Sequence, residues 1–157
     1  MANGIYSKKV IKHFQNPHNY GRMKNPDGVG KVGNIVCGDV LWLYIKVDKK
    51  EVIKDIKYET FGCAAAIATS SIITDLAKGR TIEEALKIDS GKLVKSLGGL
   101  PPIKVHCSLL AIDALSEAIY DYLSKNKKPI PENLQKTHYV IKNKKQEIEE
   151  RYKEWMK

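Results

Sequence analysis

The chain has 157 residues, of which 43% are hydrophobic and 29% charged, and its formal net charge is +9. This length and composition are those of one soluble globular domain and exclude two domains of ordinary size. The basic residues are scattered without an arginine-rich stripe, so we expect no nucleic-acid binding. No apolar run reaches the roughly 18 residues of a membrane span, and the start has no apolar signal segment, so we expect no membrane partner and a cytoplasmic location.

The first part of the chain predicts one short helix followed by antiparallel strands. Apolar residues at helical spacing predict a helix over 5–14, which Asn16 and Pro17 end. Residues 16–34 are rich in glycine and proline and predict a loop with turns. Alternating patterns then indicate strands over 40–47 and 52–61, with 31–36 as a candidate third strand. The result is a small antiparallel meander.

Helices are predicted for most of the remaining chain. The first begins at Cys63 and ends before Gly79, and the Thr81–Glu84 capping box begins a second. A short helix over 90–97 and a long one over 107–124 follow. The two prolines between them keep residues 100–102 outside any helix. A polar linker, 125–131, leads to a charged tail. Four residues of this tail form one apolar helical stripe and predict a terminal amphipathic helix: Ile141, Ile148, Tyr152 and Trp155. This apolar face suits core packing and partner binding equally.

The three cysteines all lie where one predicted element gives way to another. There are 25 residues between Cys37 and Cys63, and 43 between Cys63 and Cys107. An odd number of widely spaced cysteines in a reducing compartment does not predict a disulfide framework. Cys63 and Cys107 are each expected at a helix N-terminus, which favours the thiolate form that binds metals.

Two further residues beside these cysteines are candidate ligands. Asp39 is two residues from Cys37, so both side chains point the same way in an extended chain. His106 directly precedes Cys107. Thiolates select zinc, copper(I) or iron–sulfur clusters over magnesium or calcium, so the five residues predict a soft metal centre. The alternatives remain open that Asp39 only shapes a turn and that His106 and Lys104 are ordinary solvated side chains.

Three segments resemble the IscU family of iron–sulfur cluster scaffolds, which includes the N-terminal domain of NifU. They are GNIVCGD at 33–39, TFGCA at 60–64 and GGLPPIKVHCS at 98–108. Residues 6–17 are similar to the N-terminal segment of the family. The resemblance covers residues 5–126, which we take as the scaffold domain (1–126), followed by a charged, helical extension (127–157).

The resemblance implies an α+β fold of the IscU/SufE-like type, in which helices pack on one face of a small antiparallel sheet of about three strands. It implies that Cys37, Cys63 and Cys107 hold a [2Fe-2S] cluster, with Asp39 or His106 as the fourth ligand and Lys104 assisting. It also implies Fe²⁺ during assembly, with Zn²⁺ suited to the empty site. Expected partners are a cysteine desulfurase, apo-proteins such as ferredoxin and further copies of the chain. Cys63 and Cys107 are both expected as exposed thiols at helix starts that accept sulfur from the desulfurase. An Hsp70-type chaperone with its co-chaperone would recognise Leu100, Pro101, Pro102, Ile103 and Lys104.

Two other functions compete with a cluster scaffold, which is not an enzyme. The first is a zinc-bound, SufU-like sulfur acceptor for a cysteine desulfurase. Relatives of that type carry an insertion between the second and third cysteines, and this chain has none. The second is an enzyme with Cys107 as nucleophile and His106 as base. Adjacent residues at a helix start are expected to point in different directions, which disfavours this enzyme.

Overall fold

The computed structural model describes residues 6–34 and 39–155 as a three-stranded sheet with helices before and after it. In chain order the elements are α1 (Lys8–Gln15), β1 (Gly28–Asn34), β2 (Asp39–Val47), β3 (Ile53–Phe61), α2 (Ala64–Ala77), α3 (Ile82–Ala85), α4 (Ser90–Ser96), α5 (His106–Lys125) and α6 (Glu132–Trp155). A 3-10 turn, Pro102–Lys104, precedes α5. The predicted α+β architecture is confirmed.

The sheet is an antiparallel meander in the order β1-β2-β3. Its register pairs Gly28 with Ile45 across β1 and β2, and Val40 with Phe61 across β2 and β3. Alternate residues of β2 point to one face, where Leu41, Leu43 and Ile45 are at most 1% exposed. Helices α2 and α5 pack against this sheet and supply the rest of the core.

The first strand is longer than the sequence predicted, because part of its glycine-rich stretch is strand and not loop. β1 begins at Gly28, three residues before the predicted start. A Cβ atom at Gly28 would lie 2.2 Å from the carbonyl oxygen of Ala118, and one at Gly30 would lie 2.1 Å from that of Ala114. These glycines therefore allow α5 to pack directly on the strand backbone.

Local capping agrees with the sequence at two helix starts. The Thr81 hydroxyl accepts from the Glu84 backbone N–H, and the Glu84 carboxylate accepts from that of Thr81, so the predicted capping box is confirmed. The Asp89 side chain caps α4 by accepting a hydrogen bond from the Lys92 backbone N–H. Gly98 and Gly99 follow α4 with φ of 75° and 100°, which favours glycine and turns the chain toward the 3-10 turn.

The predicted terminal helix is present as α6, and it packs on α5. Leu134 is 4% exposed, and Ile141 lies against the core. His138 Nδ1 is 2.7 Å from Glu117 Oε2 on α5, and its ring stacks on Tyr120 with centroids 3.7 Å apart. This part of the stripe packs on the core. The side chains of Ile148, Tyr152 and Trp155 lie outside the described part of the chain.

Across residues 6–34 and 39–155, none of the helices combines the length and the apolar character that a membrane crossing requires.

Candidate metal centre

The candidate ligands converge where the start of β2 meets the N-termini of α2 and α5. Asp39 is the first residue of β2, and the register with β3 places it beside Gly62 and Cys63. Cys63 is the N-cap residue of α2, in extended conformation with φ of −75° and ψ of 176°. Cys107 is the second residue of α5. Residues far apart in sequence are therefore brought to one end of the sheet.

Three donor atoms form a nearly equilateral triangle at this position. Cys63 Sγ and Cys107 Sγ are 3.8 Å apart, and each lies 3.9 Å from Asp39 Oδ2. Asp39 is 4% exposed, Cys107 is 1% exposed and Cys63 is half-buried. A buried carboxylate that faces two thiols is a donor set suited to a bound cation, since an unpaired buried charge is costly.

His106, a predicted candidate ligand, also lies beside this triangle. Its Nε2 lies 3.6 Å from Cys107 Sγ, and its ring nitrogen, the carboxylate of Asp39 and the thiol of Cys107 all lie within 4.8 Å of one another. The expectation that adjacent residues at a helix start point apart was wrong here. Only Val105 separates the 3-10 turn from α5, which begins at His106 itself.

Cys37, the remaining predicted ligand, lies outside the described residues. It belongs to the segment 35–38, which connects the paired ends of β1 and β2 at Asn34 and Asp39. The structure therefore brings together four of the five predicted ligands, namely Asp39, Cys63, His106 and Cys107. Their role as ligands, and that of Cys37, stays a prediction.

Lys104 contributes a positive charge close to this group. The pKa of Lys104 is raised, and the negative charge of Cys63 is the main cause. Tyr6 contributes next, while burial acts in the opposite direction. Cys107 and Asp39 add smaller effects that raise the pKa. Lys104 is partly exposed, so it acts as a nearby cation and not as a buried partner.

The two helix-start cysteines differ in accessibility, which corrects a second expectation. Both had been predicted as exposed thiols able to accept sulfur from a donor protein. Cys107 instead packs with Ala65 and Ala66 of α2 and with Leu100, whereas Cys63 lies at the edge of this cluster and stays half-buried. Cys63 is therefore the more accessible sulfur of the two.

Two supporting residues were not identified from the sequence. A Cβ atom at Gly62 would lie 3.0 Å from Cγ of Asp39, so this glycine leaves room for the carboxylate as well as ending β3. The buried Thr69 hydroxyl lies 3.3 Å from the carbonyl oxygen of Cys107 and connects α2 to the first turn of α5. A glycine next to a cysteine was visible in the sequence, but its contact with Asp39 depends on the strand register.

The proline-rich segment before α5 lies on the surface beside the centre. Leu100, Pro101 and Pro102 line an open groove with Tyr6 and Ser7. Ile103 is 78% exposed. The sequence predicted that 100–102 would stay outside any helix, but Pro102 opens the 3-10 turn, where its missing N–H leaves no hydrogen bond unmade.

Comparison with known proteins identifies the family. The model of the NifU-like N-terminal domain family matches residues 5–129. The chain belongs to this family. The iron-sulfur cluster assembly scaffold protein IscU 1 of Archaeoglobus fulgidus is 61% identical to this NifU-like chain over 124 residues, which cover 79% of the chain and 80% of that protein.

Further NifU-like relatives span most of the same region. The iron-sulfur cluster assembly scaffold protein IscU of Haemophilus influenzae is 50% identical over 123 residues, covering 76% of this chain and 97% of that protein. The crystal structure of a nitrogen-fixing NifU-like protein (N-terminal) from Brucella abortus matches with a TM-score of 0.63 at 24% identity, covering 77% of this chain and 96% of that one. The predicted family is confirmed, and the structural likeness independently confirms the fold.

Proposed function

We propose that this protein is a scaffold on which a [2Fe-2S] cluster is built from Fe²⁺ and desulfurase-derived sulfur and then passed to apo-proteins such as ferredoxin. The observation that carries the proposal is the triangle of Asp39 Oδ2, Cys63 Sγ and Cys107 Sγ, with edges of 3.8 to 3.9 Å, at the end of a rigid sheet. The names of the relatives from Archaeoglobus fulgidus and Haemophilus influenzae support the same function.

The proposed cluster ligands are Cys37, Cys63 and Cys107, with Asp39 or His106 as the fourth. Three thiolates give strong bonds to iron, whereas a carboxylate is a harder and weaker ligand for such a centre. A protein that stores a cluster is best served by four thiolates. A mixed ligand set retains the cluster during assembly and allows it to leave, which is what a scaffold requires.

Sulfur is proposed to enter at Cys63, the accessible thiol of the pair. The Cys63 thiolate attacks the terminal sulfur of a persulfide on the desulfurase, the S–S bond breaks, and the desulfurase leaves as a thiolate. Lys104 assists by stabilising negative charge at the accepting sulfur. Each sulfur atom transferred in this way then takes two electrons from an external reductant to become sulfide.

The proposed partners dock around this centre. Three exposed apolar side chains lie within four residues of a candidate ligand in the chain, and they suit protein docking: Phe61, Ile103 and Leu109. The segment Leu100–Pro101–Pro102–Ile103–Lys104 is proposed for recognition by an Hsp70-type chaperone and its co-chaperone. A homo-oligomer and a cytoplasmic location, where thiols stay reduced, complete the proposal.

Two rival functions remain as outcomes of the test. A zinc-bound sulfur acceptor would use the same thiolates, because Zn²⁺ prefers the same donors. A cysteine-nucleophile enzyme has gained geometric support from the contact of 3.6 Å between His106 and Cys107. Cys107 is only 1% exposed, however, so a substrate has little access to its sulfur, and we propose that the protein is not an enzyme.

The deciding experiment is anaerobic reconstitution with Fe²⁺, cysteine and a cysteine desulfurase, followed by iron and acid-labile sulfide assays. The mixture contains a thiol reductant, which supplies the electrons that convert transferred sulfur to sulfide. We expect one [2Fe-2S] cluster per ligand set, its loss in Cys107→Ser, and full loading in His138→Ala, a control on α6. Zinc retained in every preparation, with neither iron nor sulfide bound, would overturn the scaffold and favour the zinc-bound acceptor.

A further inference from the structure

We propose that His13, His18 and Asp75 form a second metal site, which binds a divalent first-row transition ion of the Fe²⁺ and Zn²⁺ type. The side chains come from three places: the last turn of α1, the turn that follows it, and the last turn of α2. Their ligand atoms all lie within 4.8 Å of one another. This site does not depend on the cluster function proposed above.

The three side chains converge on one point. His18 Nδ1 lies 2.6 Å from Asp75 Oδ2, and the rings of His13 and His18 have centroids 4.7 Å apart at an angle of 57°. His18 and Asp75 are exposed, so an ion can reach them from solvent, whereas His13 is half-buried behind them. A small outward movement of the His18 ring would exchange its hydrogen bond with Asp75 for a shared cation.

The surrounding residues hold the potential ligands in place through their other atoms. Ser71 Oγ accepts from the His18 backbone N–H (2.8 Å) and lies 2.7 Å from His13 Nδ1, which leaves His13 Nε2 for an ion. Asn19 Nδ2 donates to Asp75 Oδ1 at 3.3 Å. The other carboxylate oxygen, Oδ2, faces His18 and is the one that would bind an ion. Metal-binding histidines and carboxylates are characteristically fixed by such outer hydrogen bonds.

The backbone around His18 is anchored as well. Asn19 adopts a left-handed conformation with φ of 58°, which asparagine tolerates better than most residues. Its carbonyl oxygen accepts from the Tyr58 N–H, and the Gly21 N–H donates to the Tyr58 carbonyl oxygen, so the turn is tied to β3. The ligand on the turn is therefore held against the two on the helices.

The second site is distinct from the cysteine centre. Cys63 caps the N-terminus of α2, and Asp75 lies twelve residues further along this helix, about 18 Å away at 1.5 Å per residue. No side chain is shared between the two groups. Two imidazoles and one carboxylate suit iron, cobalt, nickel or zinc, and three protein ligands leave coordination positions open for water.

A simple ion pair between His18 and Asp75 is the alternative, and a cobalt titration separates the two. Reduced full-length protein is titrated anaerobically with Co²⁺ and the bound metal is counted after equilibrium dialysis. Thiolate-to-cobalt charge-transfer absorption reports the cysteine centre alone. His18→Arg keeps a hydrogen-bond donor opposite Asp75 but removes the ligand, and Asp75→Asn preserves the shape. His138→Ala is the matched control, since it removes a histidine that also contacts a carboxylate.

We expect the unaltered protein to bind one Co²⁺ beyond the equivalent that the thiolate absorption reports. His18→Arg and Asp75→Asn should each lower the affinity for this extra ion at least tenfold, with the thiolate absorption unchanged. His138→Ala should bind the extra ion as the unaltered protein does. Extra binding that survives both substitutions, or that is absent from the unaltered protein, would overturn the second site. If the cysteines bound no cobalt, that result would count against the cluster proposal alone. The Co²⁺ counted by dialysis would still test the second site.

Discussion

The sulfur atoms of Cys63 and Cys107 lie 3.8 Å apart, although they belong to different helices and 43 residues separate them in the chain. A tetrahedral ion with metal–sulfur bonds of about 2.3 Å separates its thiolate ligands by about 3.8 Å. The two thiols are therefore positioned to share one metal without rearrangement. Asp39 Oδ2 lies 3.9 Å from each sulfur, within reach of the same centre.

The close packing of β1 on α5 predicts that Gly30→Ala destabilises the fold. A Cβ atom there would lie 2.1 Å from the carbonyl oxygen of Ala114 and 2.7 Å from the amide nitrogen of Ala118, so strand or helix must shift. We expect a loss of about 3 kcal/mol in the free energy of unfolding, measured by urea denaturation.

Gly33→Ala is the matched control on the same strand. The nearest atom to its Cβ would be the Asp39 carbonyl oxygen at 3.6 Å, an ordinary contact. Its effect should stay within about 0.5 kcal/mol. Equal stability of the two variants would contradict the packing of α5 on the β1 backbone.

Burial of Asp113 predicts a pH-dependent stabilisation by Asp113→Asn. Burial raises the pKa of Asp113 from its usual value of 3.8, while Lys144 on α6 partly offsets the effect. A raised folded-state pKa favours the protonated form, so its stabilising contribution is complete below the unfolded pKa and is lost as the pH rises through the folded pKa. Asp113→Asn should therefore melt higher than the unaltered protein at pH 7, and the difference should shrink toward pH 4.

Lys144→Met tests the charge interaction between Asp113 and Lys144 from the other side. It removes the cation that favours ionised Asp113, so it should lower the melting temperature at pH 7 and matter less toward pH 4. An Asp113→Asn protein that is less stable than the unaltered one at pH 7 would show that the Asp113 carboxylate is better paired than its burial implies.

Truncation after Lys128 tests the proposed division of the chain at 126–127. It removes α6 and with it the buried Leu134, so we expect a stability loss of at least about 2 kcal/mol. Cluster loading should persist, because the described candidate ligands precede α6, which contacts α5 at Glu117 and Tyr120. These contacts lie about 15 Å or more beyond Cys107 along the helix, and Asp113, which interacts with Lys144 of α6, lies about 9 Å beyond it.

Leu134→Ala in the full chain is the control for stability alone, and it should lose about 2 to 3 kcal/mol with loading intact. If the truncated chain folds but binds neither iron nor sulfide, α6 shapes the centre, and the functional unit then extends beyond residue 126.

Local patterns were sufficient to predict most of the fold and the placement of Cys63 and Cys107. The alternation in β2 and β3 and the capping box at Thr81 are properties of neighbouring residues, and both predictions hold. The strand start at Gly28 was missed because a glycine-rich stretch also predicts turns, and the reason for these glycines is the distant helix α5. Long-range packing of this kind has no local signature.

The same limit applies to the sites. Cys107 was correctly placed at a helix start, but its burial depends on Ala65 and Ala66 of α2, which no spacing reveals. His18 and Asp75 are 57 residues apart, and only the packing of α1 and its following turn on α2 brings them together. Sequence adjacency was also a poor guide. His106 and Cys107 were expected to point apart, but they point to the same side.

The central claim is that a mixed ligand set holds a [2Fe-2S] cluster and releases it, and cluster transfer from Asp39→Ala tests this claim most directly. Each variant is loaded anaerobically, mixed with an apo-ferredoxin and followed by visible absorption. Asp39→Ala retains the three cysteines, and His106 or water can fill the fourth position, so it should hold a cluster but transfer it several-fold more slowly. Cys107→Ala should hold none. If Asp39→Ala transferred its cluster at the unaltered rate, Asp39 would have only a structural role, and His106 would remain as the candidate for the fourth ligand.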